Sequence, residues 1–214
     1  MRDFCRFIFS ASLALMLSGI AIAQRIVTPP PKPPQDGPSL QATMKFIQDK
    51  LKGLGNVHYA TKAQADDTSQ WADRFQPAFQ ELVADPSTCE LTSRSVVHGD
   101  KEYNWTDNLN FREVEKIEVM PLADFVNREH IQHGNPELLE IITPTVFSVN
   151  LVMATGKTEH HHFIATAKIG EPSLEDTENK TWALTFPDEE TANRVAKAMV
   201  HAVEMCGGGN KEPF

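Results

Sequence analysis

Residues 181–209 read TWALTFPDEETANRVAKAMVHAVEMCGGG, and the hydrophobic period changes inside this one stretch. Trp182, Leu184 and Phe186 alternate with Ala183 and Thr185, the two-residue repeat of a strand with one buried face. From Asp188 onward the repeat lengthens. Ala192, Val195, Ala196, Met199, Val203 and Cys206 fall on one helical face, with Asn193, Arg194, Lys197, His201 and Glu204 opposite. Asp188 is a good N-cap, and Gly207-Gly208-Gly209 stops the helix. Small and medium side chains on the apolar face allow close approach, so this helix is expected to close a core rather than to dock elsewhere.

Working outward, the preceding residues read as short antiparallel strands. Val146 to Met153 places Phe147, Val149, Leu151 and Met153 on one face, Thr155-Gly156-Lys157 turns the chain, and His161 to Ala167 returns. Earlier two-period runs include Val57 and Tyr59, then Phe75, Phe79 and Leu82. Leu91 to Val97, Leu109 and Phe111, and Ile117 and Val119 continue the series. Turn-rich pieces such as Asp85-Pro86-Ser87 and His98-Gly99-Asp100 separate them. Two stretches are helical instead: Leu40, Met44, Ile47, Leu51 and Leu54 behind a Ser39 cap, and Leu122, Phe125, Val126 and Glu129 ahead of Gly134-Asn135-Pro136. The pattern predicts an α+β domain: an antiparallel β-barrel or sandwich of about seven strands, with an N-terminal helix and a capping C-terminal helix. Its inward set, Phe147, Leu151, Phe163, Trp182 and Phe186, predicts a filled interior, which counts against a carrier of small apolar ligands.

The chain begins with a secretory signal. Arg2 and Arg6 form a basic start, Phe7 to Leu17 an apolar core, and Ala21-Ile22-Ala23 a small-x-small cleavage site, so residues 1–23 are expected to leave the mature protein or, if uncleaved, to anchor it. Residues 24–38 are a Pro-rich linker (TPPPKPPQDGP at 28–38), residues 39–207 the domain and residues 208–214 a flexible tail. The expected location is secreted or periplasmic, with no membrane contact after cleavage.

Arg2, Arg6 and Asp3 carry a net +1, so losing them takes the formal charge from −9 to −10. That charge disfavours nucleic acid and anionic membranes as partners. Cys5 leaves with the signal, and Cys89 and Cys206 remain as an even pair in an oxidising compartment, which predicts a disulfide between them.

Candidate chemistry is sparse. In Glu159-His160-His161-His162, a strand would put His160 and His162 on one face, where they could share Zn²⁺ or Cu²⁺, but two ligands make a weak site and a solvated hairpin end is the preferred reading. His130 and His133 stand three apart, but Glu129 precedes both, so the HExxH geometry is absent. If His130 or His133 met His160 or His162, four ligands would converge and a secreted metal-binding protein or metalloenzyme would become the better reading. No GxSxG, P-loop, GxGxxG or CxxC occurs. The acidic stretch Glu171 to Glu178 lacks the ligand spacing of a Ca²⁺ loop and reads as a solvated loop. No cofactor is expected, and the leading expectation is a non-catalytic module that docks a peptide or protein on a barrel edge beside the C-terminal helix.

The closing strand running straight into TANRVAKAMVHAVEMCGGG resembles the pleckstrin-homology-like superfold, a seven-stranded bent barrel plugged by a C-terminal helix. It also resembles secreted bacterial proteins of that type, to which no function is assigned, in which ADPS-x-C and AVELCGGG-like stretches recur. Ala84 to Cys89 and Ala202 to Gly209 match here. Phosphoinositide-binding members of the superfold cluster Lys and Arg after their first strand. Thr61 to Thr68 instead carries Lys62, Asp66 and Asp67, so the resemblance implies no phosphoinositide site.

Overall fold

Ser39 starts the domain as its sequence position suggests. In a computed structural model, its Oγ accepts a 3.2 Å hydrogen bond from Ala42 N at the head of helix α1, Leu40–Lys52. The structure describes residues 37–63, 70–98, 101–135, 138–154, 159–167 and 173–209, and for residues 98, 101, 159–167 and 173–178 the backbone alone. The turn proposed at 155–157 and most of the stretch after the first strand fall outside these residues. So do the signal, the linker up to residue 36 and residues 210–214.

Three antiparallel sheets follow. One has the order β2-β1-β7, from β1 (Val57–Ala63), β2 (Ala72–Gln76) and β7 (Glu140–Thr143). The largest, β10-β9-β5-β4-β3, uses β3 (Phe79–Asp85), β4 (Glu90–His98), β5 (Lys101–Asn110), β9 (Glu159–Ala167) and β10 (Ser173–Asn179). The third, β11-β8-β6, uses β6 (Val114–Pro121), β8 (Phe147–Met153) and β11 (Thr181–Phe186). Helix α2 (Leu122–Gln132) packs on β6, β7 and β8, while α3 (Glu189–Cys206) crosses the third sheet and meets α1, which in turn lies along β3.

The periods read from sequence locate the core. Val149 and Leu151 of β8, Leu184 and Phe186 of β11, and Val195 and Met199 of α3 are fully or almost fully buried together. Met44, Ile47 and Leu51 of α1 join them, so the core runs from the third sheet through α3 and α1 to Leu82, Leu91 and Leu109 of the largest sheet. Asp188 caps α3 through Thr191 N at 2.7 Å, and Gly207 ends it in the left-handed region, φ 83°, where only glycine is unstrained.

Cys89 and Cys206 sit at disulfide distance, Sγ–Sγ 2.07 Å and Cα–Cα 6.0 Å, fastening the end of α3 to the turn before β4. Closing a span of 117 residues restrains the unfolded chain by on the order of 4 to 5 kcal/mol in the loop-entropy picture. The glycines beyond the helix pack as well. Gly208 N donates to Val203 O at 2.9 Å and Gly209 N to Val114 O at 2.8 Å, so the ordered end reaches past residue 207.

The α+β class and both terminal helices match the expectation, but the strand plan differs. The described sheets hold three, five and three strands rather than about seven in all, and none of the three closes on itself among the described residues. β7 is four residues long, and β10, SLEDTEN, lies in the stretch expected to be a solvated loop. Both are edge strands, whose pairing is main-chain and leaves little apolar alternation in the sequence. The β3 edge of the largest sheet meets α1 rather than another strand among the described residues: Gln48 Oε1 accepts from Ala84 N at 3.0 Å.

Candidate functional site

An open sheet must dispose of its edges, and this fold treats them unequally. β3 is covered by α1. β2 is five residues long and carries Asp73 and Arg74, the short, charged pattern that discourages pairing. β11 is different: its sequence TWALTF has no charge and no proline, and β8 is its one strand neighbour among the described residues.

The register shows what this edge presents. Thr185 stands opposite Ser148, yet its N–H is donated at 2.5 Å to Gln76 Oε1 from the end of β2. Thr185 therefore points its backbone polar groups away from β8. By the two-residue alternation of antiparallel pairs, Ala183, opposite Asn150, points its N–H and C=O the same way. Ala183 is exposed and lies along a cleft.

The cleft, of about 310 Å³, lies between β11 and the largest sheet. Thr181, Trp182, Ala183 and Leu184 form one side; Ser95 of β4 with Trp105 and Asp107 of β5 form the other; Gln76, Pro77 and Phe79 make the rim. Register brings the second side together, with Ser95 opposite Trp105 and Ser93 opposite Asp107. Ser93 Oγ donates to Asp107 Oδ2 at 2.8 Å, and Tyr103 stacks on Trp105 with centroids 6.1 Å apart. The inward face of β4 and β5 thus changes along its length from Leu91 and Leu109, in the core, to hydroxyl, carboxylate and indole at the cleft.

One further group belongs to the rim. Gln76 Nε2 is buried and has no hydrogen-bond partner among the described residues, while its Oε1 is committed to Thr185 N. That commitment fixes which end of the amide is which, because a backbone N–H needs an acceptor. An unmet buried donor costs about 1–3 kcal/mol. Chemically, the cleft combines a strand edge at Ala183 with two indoles and one carboxylate that already accepts from Ser93.

Perturbed titrating groups lie elsewhere and have structural causes. Asp85 is held below the usual carboxylate range by hydrogen bonds from Ser87, and Asp188 by those from Thr191. Glu118 is lowered by Lys116, with Arg128 adding to it, and burial raises the Tyr59 phenol. None of the four lines the cleft.

The residues singled out from sequence are placed as follows. Cys89 and Cys206 pair. His130 and His133 lie at the C-terminal end of α2, where His133 is exposed and 3.9 Å from Glu129. His130 Nδ1 is buried without a partner among the described residues. His160 and His162 fall on β9, in backbone register with Asn108 and Thr106, and their side chains are outside the described residues, as are those of Phe163 and most of the acidic stretch. Among the described residues no three His, Cys, Asp or Glu gather as a metal site would require. Trp182 had been assigned to a filled interior and is buried, but it also faces the cleft. Ser93, Ser95, Asp107, Gln76 and Ala183 were missed. ELTSRSVVH carried a readable signal, since Ser93 and Ser95 occupy inward positions that a filled barrel would give to apolar side chains.

No protein family, curated protein or solved structure matches the chain. Among the described residues no helix is long and apolar enough to cross a membrane.

Proposed function

We propose that the chain is an exported, non-catalytic interaction module that takes an extended peptide or protein segment onto the β11 edge, beside α3. The observation that carries this reading is the pairing of an outward-facing Ala183 backbone with the unmet Gln76 Nε2 in one cleft. Strand addition supplies what that cleft wants: main-chain hydrogen bonds, each worth about 0.5–1.5 kcal/mol net, with alternate side chains directed at the wall. The resemblance to the pleckstrin-homology-like superfold agrees with this use, because that superfold serves as a platform for peptides and proteins among other ligands. Export rests on the Arg2-to-Ala23 pattern and on the Cys89–Cys206 pair, which suits an oxidising compartment. Mass spectrometry of exported protein is expected to give a start within two residues of Gln24.

Ala183→Pro tests the docking. Proline removes the outward N–H without touching the bonds to β8, a substitution that edge strands accept. Immobilised wild-type and Ala183→Pro proteins are exposed to envelope extract from the native host. A partner held by wild type and lost by the variant is expected, and the same partners on both would refute docking at this edge.

A further inference from the structure

The seam where α1 meets α3 opens on the surface as a groove of about 400 Å³ that shares no lining residue with the β11 cleft. Ala42 and Phe46 of α1 form one wall, Lys197 and Ala198 of α3 the other, and Pro38 stands at the end where α1 begins. The two alanines leave the space, because neither side chain extends beyond Cβ. His201 Nε2 donates to Pro38 O at 2.9 Å, which fixes that end, and the Phe46 ring is half-buried, so the walls are in place before anything binds. The charge is one-sided. The chain carries a formal −9, yet among the described residues no Asp or Glu lines the groove and Lys197 does. Asp49 of α1 is paired with Lys45 and Glu190 of α3 with Arg194, whereas Lys197 has no ion pair among the described residues. Lys50 Nζ lies 5.8 Å from the centre of the Phe46 ring, a second cation beside the α1 wall.

We infer that this groove holds a small anionic amphiphile, a free aliphatic carboxylate, with its chain along Ala42, Phe46 and Ala198 and its head at Lys197. Size and charge decide the class together. A volume of about 400 Å³ suits a small-molecule site, whereas a protein interface draws on about 20–30 residues a side. Aliphatic carbon gains by leaving water for Phe46 and the alanines. A lysine that lays its stem on apolar surface keeps its ammonium in water, at the mouth, where a carboxylate head would sit. A cationic head would instead oppose Lys197 and Lys50, and a neutral one would gain the apolar contact alone. The groove is on the outside of the domain, so it requires no hollow interior.

The test uses the mature protein with its disulfide intact and three probes of equal chain length, decanoate, decyltrimethylammonium and decyl maltoside, each below its micelle-forming concentration. Affinity is read by calorimetry, and the place of binding by the ¹⁵N–¹H signals of Ala42 and Ala198. Decanoate is expected to move both signals and to bind at least about tenfold tighter than decyltrimethylammonium, with decyl maltoside between. Lys197→Ala should bring decanoate and decyl maltoside to within about threefold of each other. Ala42→Leu, at an exposed helical position that accepts leucine, should fill the groove and weaken decanoate by at least about tenfold, with the urea midpoint showing that the variant is folded. Equal affinity for the three heads, binding that leaves the Ala42 and Ala198 signals unmoved, or decanoate affinity unchanged in both variants would each overturn the inference. Movement of those signals by phosphatidylglycerol vesicles or by an acidic amphipathic peptide, with no response to decanoate, would overturn it too, since the groove would then serve a membrane or a protein. Docking at β11 is tested separately at Ala183, and either result here leaves it standing.

Discussion

Gly208→Ala should be among the most damaging small substitutions in the chain, although Gly208 follows the last helix and reads from sequence as tail. A Cβ built there lies 2.4 Å from Phe111 O, 3.0 Å from Val203 Cγ1 and 3.1 Å from Val114 O. Two of these are backbone oxygens, which cannot swing aside as a side chain can. Carbon–oxygen contacts settle near 3.3 to 3.6 Å, so the end of the chain must retreat by roughly 1 Å. Overpacking of that kind costs about 1–3 kcal/mol. Retreat also weakens the Gly208 N to Val203 O and Gly209 N to Val114 O bonds, each about 1 kcal/mol. The total is about 2–4 kcal/mol. Gly207→Ala is the control: its φ of 83° penalises alanine by about 1 kcal/mol, but open space surrounds the new methyl. Urea unfolding with the disulfide intact and an unchanged m-value gives both numbers. If Gly208→Ala were as stable as Gly207→Ala, the packing assigned to the end of the chain would be wrong.

Val195 and Met199 are fully buried on α3, so Val195→Asp should lower stability by several kcal/mol in urea melts, while Lys197→Ala should change it by less than about 0.5 kcal/mol; equal midpoints would remove α3 from the core. Reducing the Cys89–Cys206 pair should cost on the order of 2–5 kcal/mol, and thiol titration of the unreduced mature protein should find no free thiol. Asp188, Asp85 and Glu118 all titrate below their ordinary range in the folded protein, so each contributes stability above its unfolded pKa and loses it as pH falls through its folded pKa. Asp188→Ala should therefore fall below wild type most clearly near neutral pH, with the gap narrowing in acid; a gap constant from pH 7 to pH 2 would show that the charge at Asp188 contributes nothing.

Sequence made the helices legible because caps and period agree at both ends: Ser39 with Leu40 to Leu51, and Asp188 with Ala192 to Cys206. The disulfide was legible because removal of Cys5 leaves only two cysteines. Sheet closure was not, since it depends on which edges meet. The placement of α1 against β3, through Gln48 and Ala84, leaves no mark in the strand pattern itself. The cleft was half legible. Ser93 and Ser95 break an inward apolar face in plain view, whereas Gln76 and Thr185 are 109 residues apart and meet only through tertiary packing. Ala183 is a small residue on the exposed side of a good strand; the direction of its backbone follows from register and not from residue type.

The central claim is that β11 is a docking edge, and the amide of Ala183 reports on it most directly. Hydrogen exchange measured residue by residue, with and without a saturating partner peptide, should show Ala183 slowed by at least about tenfold on binding, because its N–H passes from water to a carbonyl acceptor. Thr185, already bonded to Gln76, should change little. A bound peptide that left Ala183 exchanging at its free rate, or that protected β2 instead, would contradict the account.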